Sequence, residues 1–357
     1  MQGLISYAYA YARAKAIESS LLNTSIIDQL VSAPDLQQII SILMETPYKE
    51  YISFYSTKYS GVELIEMSLN SHLVKISRIA LNITPRIGLD ALRSYVSKWD
   101  IANIKIIISS KVLGRKINET EMFLLSERDL PAGIVAGQIT SEDFKIMIEE
   151  QDIDSIVKYL LKFPYGKVLM ENMESFKKTG DPGQMLLSLD LFYFDNLIQK
   201  IKLFQGNEMP VLHLISSQID SKNIMTLIRG IDMGISPPEL RKYMVDGGNL
   251  KGQKLDDLLH ASSINDIVDK VKDIYDLSKA LEIYNESKDI KEFEIQLENY
   301  IINRNISSFR IASPGFASVI GLLLMFETER ENIRKVAYGK QYKFSNERIK
   351  SMLIKVV

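Results

Sequence analysis

One helical pattern recurs three times along this chain, and that constrains the fold more than any other feature. In Trp99-Asp100-Ile101-Ala102-Asn103-Ile104-Lys105 an acidic residue precedes an asparagine by three places. An isoleucine follows the asparagine, and apolar residues return four and five places on, at Ile107 and Ile108. The same order stands at Asp220, Asn223, Ile224, Leu227 and Ile228, and again at Glu329, Asn332, Ile333, Val336 and Ala337. The asparagines lie 120 and 109 residues apart. Such offsets put the apolar positions on one face of a helix, and a period of that size makes each copy a helical unit in its own right.

A second pattern alternates with the first. Leu36 is followed by Ile39, Ile40 and Leu43, Ile153 by Ile156, Val157 and Leu160, and Ile264 by Ile267, Val268 and Val271. The offsets are identical, and Asp35, Asp152 and Ser263 stand just ahead as N-cap residues. The first two copies also end alike, in Pro47-Tyr48 and Pro164-Tyr165. Between the patterns lie further cap signals: a capping box at Ser236-Pro237-Pro238-Glu239, Ser345 in the last copy, and Asn118 after Asn103. Thr24, 13 residues after Tyr11, places a weak early copy of the first pattern on Tyr7 to Ala16. The chain therefore reads as all-α, with pseudo-symmetric helical units over residues 1–100, 101–220 and 221–357. The closing helices supply a partial extra copy that is expected to pair back near the N-terminus.

Composition agrees. Only 10 prolines and 18 glycines punctuate 357 residues, and Val/Thr-rich alternating runs are scarce. A net charge of -2 gives no field that would recruit nucleic acid. The absence of cysteine removes disulfides, thiolate zinc sites, iron–sulfur clusters and cysteine nucleophiles together. The longest apolar stretch, Val319 to Phe326, is too short to span a bilayer and reads as a buried core helix. No basic region followed by an apolar core opens the chain, so no signal peptide is expected.

Nothing in the sequence proposes catalysis or a cofactor. His72, His213 and His260 have no partner at metal-ligand spacing and read as core histidines, His213 in particular from Val211-Leu212-His213-Leu214-Ile215. Gly247-Gly248-Asn249-Leu250-Lys251-Gly252-Gln253-Lys254 lacks the ending of a phosphate loop and reads as a turn. The run Leu191-Phe192-Tyr193-Phe194 offers either an exposed contact patch or core packing, and core packing is the favoured reading. Tyr7, Tyr9 and Tyr11 alternate along a helix, so they cannot share one face; some should be exposed or should pack against two neighbours, which points to an interface.

These patterns resemble the C subunit of the archaeal-type rotary ATPases, a relative of the d subunit of vacuolar ATPases. Tyr7-Ala8-Tyr9-Ala10-Tyr11-Ala12-Arg13-Ala14-Lys15-Ala16 is similar to that family's N-terminal Tyr-Ala-rich helix. Lys98 to Lys105 resembles its middle motif, and Glu329 to Lys340, continuing through Phe344 to Leu353, its C-terminal signature. Two positions depart from the family: Tyr11 stands where asparagine is usual, and Glu331 where an apolar residue is usual. The residues so singled out for structural or partner-contact roles are Tyr7, Tyr9, Arg13, Trp99, Asn103, Lys105, Asn223, Arg229, Asn332 and Arg334.

The resemblance implies a funnel-like ring of three units with a central cavity. It implies a non-catalytic central-stalk subunit, without nucleotide site or cofactor, that couples a membrane ring of ion-carrying subunits to the rotor shaft. Its partners would be the shaft subunits and that ring, and its place the cytoplasmic face of the membrane, as a peripheral protein. The competing reading is a helical-repeat scaffold for other cytosolic proteins.

Overall fold

The computed structural model describes residues 2–115, 124, 139–202 and 208–354. Every regular element among them is a helix. In chain order these are α1 Gln2–Glu18, α2 Thr24–Ser32, α3 Leu36–Leu43, α4 Lys49–Tyr55, α5 Gly61–Ile83, α6 Arg86–Val96 and α7 Lys98–Val112. Then follow α8 Ser141–Glu149, α9 Ile153–Leu160, α10 Pro164–Met170, α11 Met173–Thr179, α12 Gly183–Lys202 and α13 Met209–Asp232. The remainder are α14 Pro237–Leu240, α15 Gln253–Leu259, α16 Ile264–Val271, α17 Ser278–Ser287, α18 Lys291–Arg310, α19 Phe316–Gln341 and α20 Asn346–Met352.

The second sequence pattern becomes three eight-residue helices, α3, α9 and α16. Each starts on a capping residue in extended conformation whose side chain accepts the amide three residues on: Asp35 from Gln38 (2.9 Å), Asp152 from Ser155 (2.8 Å) and Ser263 from Asp266 (3.2 Å). Each such cap contributes about 1 kcal/mol to helices too short to persist alone.

The first pattern becomes α7, α13 and α19, and their C-termini close identically. The amide of the residue ten places after the asparagine (Leu113, Met233, Tyr342) returns to the carbonyl of Ser109, Arg229 or Tyr338. The next residue is left-handed, at φ 64°, 68° and 58° for Gly114, Gly234 and Lys343. The one after that donates back to Ser110, Gly230 or Gly339 at 2.8–2.9 Å, which completes a Schellman turn.

The other cap signals differ in detail. Ser345 caps α20 as expected, accepting from the amide of Arg348. At Ser236 the hydroxyl bonds the Glu239 carboxylate at 3.2 Å at the start of the single turn α14. The early helix begins on Asn23 rather than Thr24, because Asn23 Oδ1 reaches the amide of Ile26. The signal at Asn118 lies outside the described residues.

Contacts gather the chain into two compact units, Met1–Gly206 with Ser313–Leu353, and Asn207–Ala312 with Ile354–Val357. In the first, α19 lies along α5 and α1, so the last long helix does pack onto the N-terminal segment. Its opening stretch, Phe316 to Phe326, is buried throughout. Ile333, Val336 and Ala337 share one apolar cluster with Ile39, Leu43, Tyr48 and Ile65. α12 packs on α6, α7 and α10, which buries Tyr193 and Phe194, and the Tyr193 hydroxyl donates to the Tyr95 carbonyl at 3.2 Å. In the second unit α13 pairs with α18 and rests on α16. No described helix is long and apolar enough to cross a membrane.

Candidate functional site

The polar residues of the first pattern become buried anchors. Asp220, fully enclosed on α13, accepts four hydrogen bonds within its unit. They come from the amides of Asn249 (3.1 Å) and Leu250 (2.9 Å), from Asn249 Nδ2 (2.9 Å) and from the Tyr275 hydroxyl (2.7 Å). A Cβ at Gly248 would lie 2.2 Å from Asp220 Oδ1, so only glycine lets the loop come this close. One turn on, Asn223 clamps Val245 in both directions, donating to its carbonyl at 2.8 Å and accepting its amide at 2.9 Å. The glycine-bearing turn after α14 is thus pinned to α13. Burial raises the Asp220 carboxyl above its ordinary range, against the pull of the four donors.

Glu329 and Asp100 hold the equivalent positions. Glu329 on α19 accepts the Leu22 amide at 2.5 Å and the Tyr48 hydroxyl at 2.8 Å, and burial lifts its pKa to about 7. Asp100 on α7 meets only the Tyr165 hydroxyl, at 3.5 Å, and its Oδ1 has no partner among the described residues. Burial holds its carboxyl well above the usual range. The tyrosines of Pro47-Tyr48 and Pro164-Tyr165 are therefore partners of these acids, and Tyr275 is the third. Burial lifts all three phenols above their ordinary range.

A second polar cluster ties α19 to α5. Arg330 donates to Glu66 Oε1 (3.0 Å) and to Asn70 Oδ1, while Arg334 Nε reaches Glu66 Oε2 at 2.9 Å. Glu331 sits 3.7 Å from Arg330 and 3.6 Å from Arg334. An acid is accommodated at this turn because two guanidinium groups balance it beside Glu66. Nearby, Lys98 pairs with Glu327 at 2.7 Å under cover of Tyr95.

The candidates from the sequence divide by exposure. Tyr7, Asn103, Asn223 and Asn332 are buried. Trp99 is half-buried beside Lys98, Lys105 pairs with Asp190, and Arg334 belongs to the Glu66 cluster. Tyr9, Arg13 and Arg229 are exposed, and Arg229 meets Glu294 at 3.1 Å. Tyr7 and Tyr9 thus fall on opposite sides of α1. Two histidine expectations fail: His260 is exposed at the C-terminal end of α15, and His213 is exposed on α13 because its position falls outside the buried stripe of Val211, Leu214 and Ile215. It lines an open cleft of about 470 Å³ with Ser217 and Arg304. The buried histidine is His72, packed edge-on to Tyr48 and Phe326, where burial drops its pKa to about 4.

Sequence reasoning missed the three acid–tyrosine pairs and the role of Glu66. The acids and two of the tyrosines stand out in the patterns, but the pairing spans 55 to 281 residues and follows no local spacing. Among the described residues no three His, Cys, Asp or Glu side chains gather into a metal site.

Residues 10–352 match the sequence family described as the ATP synthase (C/AC39) subunit. The chain is 34% identical over 349 residues to the C subunit of the A-type ATP synthase of Thermoplasma volcanium, covering 98% of each chain. The same figures hold for the Thermoplasma acidophilum protein of that name. The Methanocaldococcus jannaschii protein is 26% identical over 356 residues, with 98% of this chain and 87% of that one covered.

Proposed function

The chain belongs to the ATP synthase (C/AC39) subunit family, and from that premise we propose that it is a non-catalytic central-stalk subunit of an A-type ATP synthase, coupling the membrane ring of ion-carrying subunits to the rotor shaft. The observation that carries this reading is the match over nearly the whole length of this chain and of its relatives. Three repeat copies, over 1–100, 101–220 and 221–357, would form a funnel-like ring whose cavity seats the shaft. The identical caps of α3, α9 and α16 and the identical ends of α7, α13 and α19 support the duplication. A torque carrier must resist twisting. Dense helix packing and loops pinned by buried side chains such as Asp220 and Asn223 favour such stiffness. Attachment to the cytoplasmic face of the membrane would be peripheral and made through partner subunits.

Affinity purification of a tagged chain from membranes in mild detergent tests the proposal. Recovery of the other ATPase subunits with it is expected, together with no ATP hydrolysis by the isolated chain. An intact ATPase that purifies without the chain would sink the proposal.

A further inference from the structure

The turn after α14 carries Asp246-Gly247, the one place in 357 residues where an aspartate or asparagine precedes glycine. At such a pair the glycine nitrogen can attack the neighbouring side-chain carboxyl, because glycine has no Cβ to block the approach. Every other aspartate and asparagine is followed by a residue with a Cβ, and Asp181 by Pro182, whose nitrogen has no hydrogen to release.

Neither reacting group is engaged within the turn. The Asp246 side chain is 86% exposed and meets only the Arg241 guanidinium among the described residues, at 3.4 and 3.5 Å. An exposed pair of that length holds a carboxylate weakly. The Gly247 amide donates to no described residue. Other aspartates in turns and caps differ on this point. Asp35 and Asp152 accept the amide three residues on, and Asp181 accepts the Gly183 amide at 2.9 Å.

The pair also lies between two anchors on α13. Asn223 clamps Val245 on one side, and Asp220 holds the Asn249 and Leu250 amides on the other. The Ser216 hydroxyl reaches the Gly247 carbonyl between them, at 3.0 Å.

We propose that Asp246-Gly247 is a site of isoaspartate formation, and that the change releases this turn from α13. The Gly247 nitrogen bonds to Asp246 Cγ, and the carboxyl hydroxyl leaves as water with the amide proton. Water then opens the five-membered imide. Opening at Cγ restores aspartate. Opening at the Asp246 main-chain carbonyl gives isoaspartate, whose backbone runs through Cβ and Cγ. Water is the only co-reactant. The product adds one carbon, about 1.5 Å of backbone, between Val245 and Asn249. Hydrogen bonds of 2.8–3.1 Å at both anchors do not absorb that length, so one anchor is lost. The site is independent of the coupling role proposed above, and neither falls with the other.

The full-length protein is held in heavy-oxygen water at neutral pH, returned to ordinary water and digested with trypsin. Opening of the imide leaves one heavy oxygen in the peptide Tyr243–Lys251, and electron-transfer fragmentation identifies isoaspartate in it. Label and isoaspartate are expected to accumulate at Asp246 and not at the exposed Asp90, which precedes Ala91. Asp246→Glu, which keeps the charge beside Arg241 but would need a six-membered ring, is expected to stay unlabelled. An unlabelled Asp246 overturns the assignment, and a synthetic peptide of residues 243–251 tells whether the fold or the sequence prevents the reaction. Equal labelling of Asp90 overturns it as well. Hydrogen exchange read on the two chromatographically separate forms of the peptide tests the release. Faster exchange of the Asn249 and Leu250 amides, or of the Val245 amide, is expected in the isoaspartate form. Conversion that leaves all three as protected as before overturns the release.

Discussion

Asp220 and Asp100 hold the same place in the repeat and are equally buried, yet they live in different electrostatic surroundings. Asp220 accepts four hydrogen bonds from a loop and a tyrosine, while Asp100 has one long contact. The difference shows that the repeat keeps a position for an acid, while the loop that follows decides whether the acid holds anything in place. Where donors converge, a buried carboxylate fixes a loop. Where they do not, burial leaves a group that is costly to ionise. Single substitutions separate the two cases most sharply. Asp220→Ala strands two loop amides, the Asn249 amide group and the Tyr275 hydroxyl in a dry site, and a loss of about 3–5 kcal/mol is expected. Asp100→Asn keeps the shape and removes a carboxyl that burial makes costly to ionise, so stability at neutral pH should not fall and is expected to rise above the parent's. Urea unfolding of both variants measures this, and equal losses would break the comparison.

How far the sequence reveals these anchors follows from the range of the forces involved. The three short helices are legible because capping acts over three residues and apolar spacing over one turn, so Asp35 and Ile39 announce their own helix. The burial of Asn103, Asn223 and Asn332 follows from their place on an apolar face. The donors to Asp220 are not legible, because they arrive from Asn249 and Leu250 across a turn whose path depends on Gly248. Glu331 stands out in the sequence because the guanidinium groups that balance it, on Arg330 and Arg334, are held in place by the distant Glu66. His213 departs from expectation for a different reason. An apolar neighbourhood in sequence is not a buried one on a helix, where the next residue already faces another way.

The third acid extends the comparison into pH. The folded state raises Glu329 from 4.5 to about 7, so it holds the proton more tightly than the unfolded chain does. Its contribution to stability is full below about pH 4.5 and is lost as pH rises through 7, by about 3 kcal/mol in all. His72, on the other side of Tyr48, falls from 6.5 to about 4. It acts with the opposite sign: its contribution is full above pH 6.5 and is lost as pH falls through 4. The two slopes oppose each other between pH 4.5 and 6.5. Glu329→Gln removes one of them, while its amide still serves the Leu22 amide and the Tyr48 hydroxyl. The stability advantage of the parent over this variant should therefore shrink by about 3 kcal/mol from pH 4.5 to 7.5. Thermal unfolding across that range reads it, and parallel curves for the two proteins would mean that Glu329 is ionised in the fold at all these pH values.

The smallest expected effect concerns the end of the same helix. Gly114 and Gly234 take the left-handed conformation that closes their Schellman turns, and the third copy places Lys343 there at φ 58°. A residue with a Cβ loses about 1 kcal/mol in that conformation, which glycine avoids. The cost is tolerated because the turn is fixed from both sides. The Phe344 amide bonds the Gly339 carbonyl at 2.8 Å, and Ser345 caps the next helix. Lys343→Gly should therefore raise stability by about 1 kcal/mol, less the added freedom of the unfolded chain, and Gly234→Lys should lower it by about the same amount. Paired denaturation curves of the two variants test whether the three turns are equivalent in energy as well as in hydrogen bonding. Should Lys343→Gly destabilise instead, the lysine side chain must contribute more to the fold than its strain removes, and the third turn would then be a specialised copy rather than a strained one.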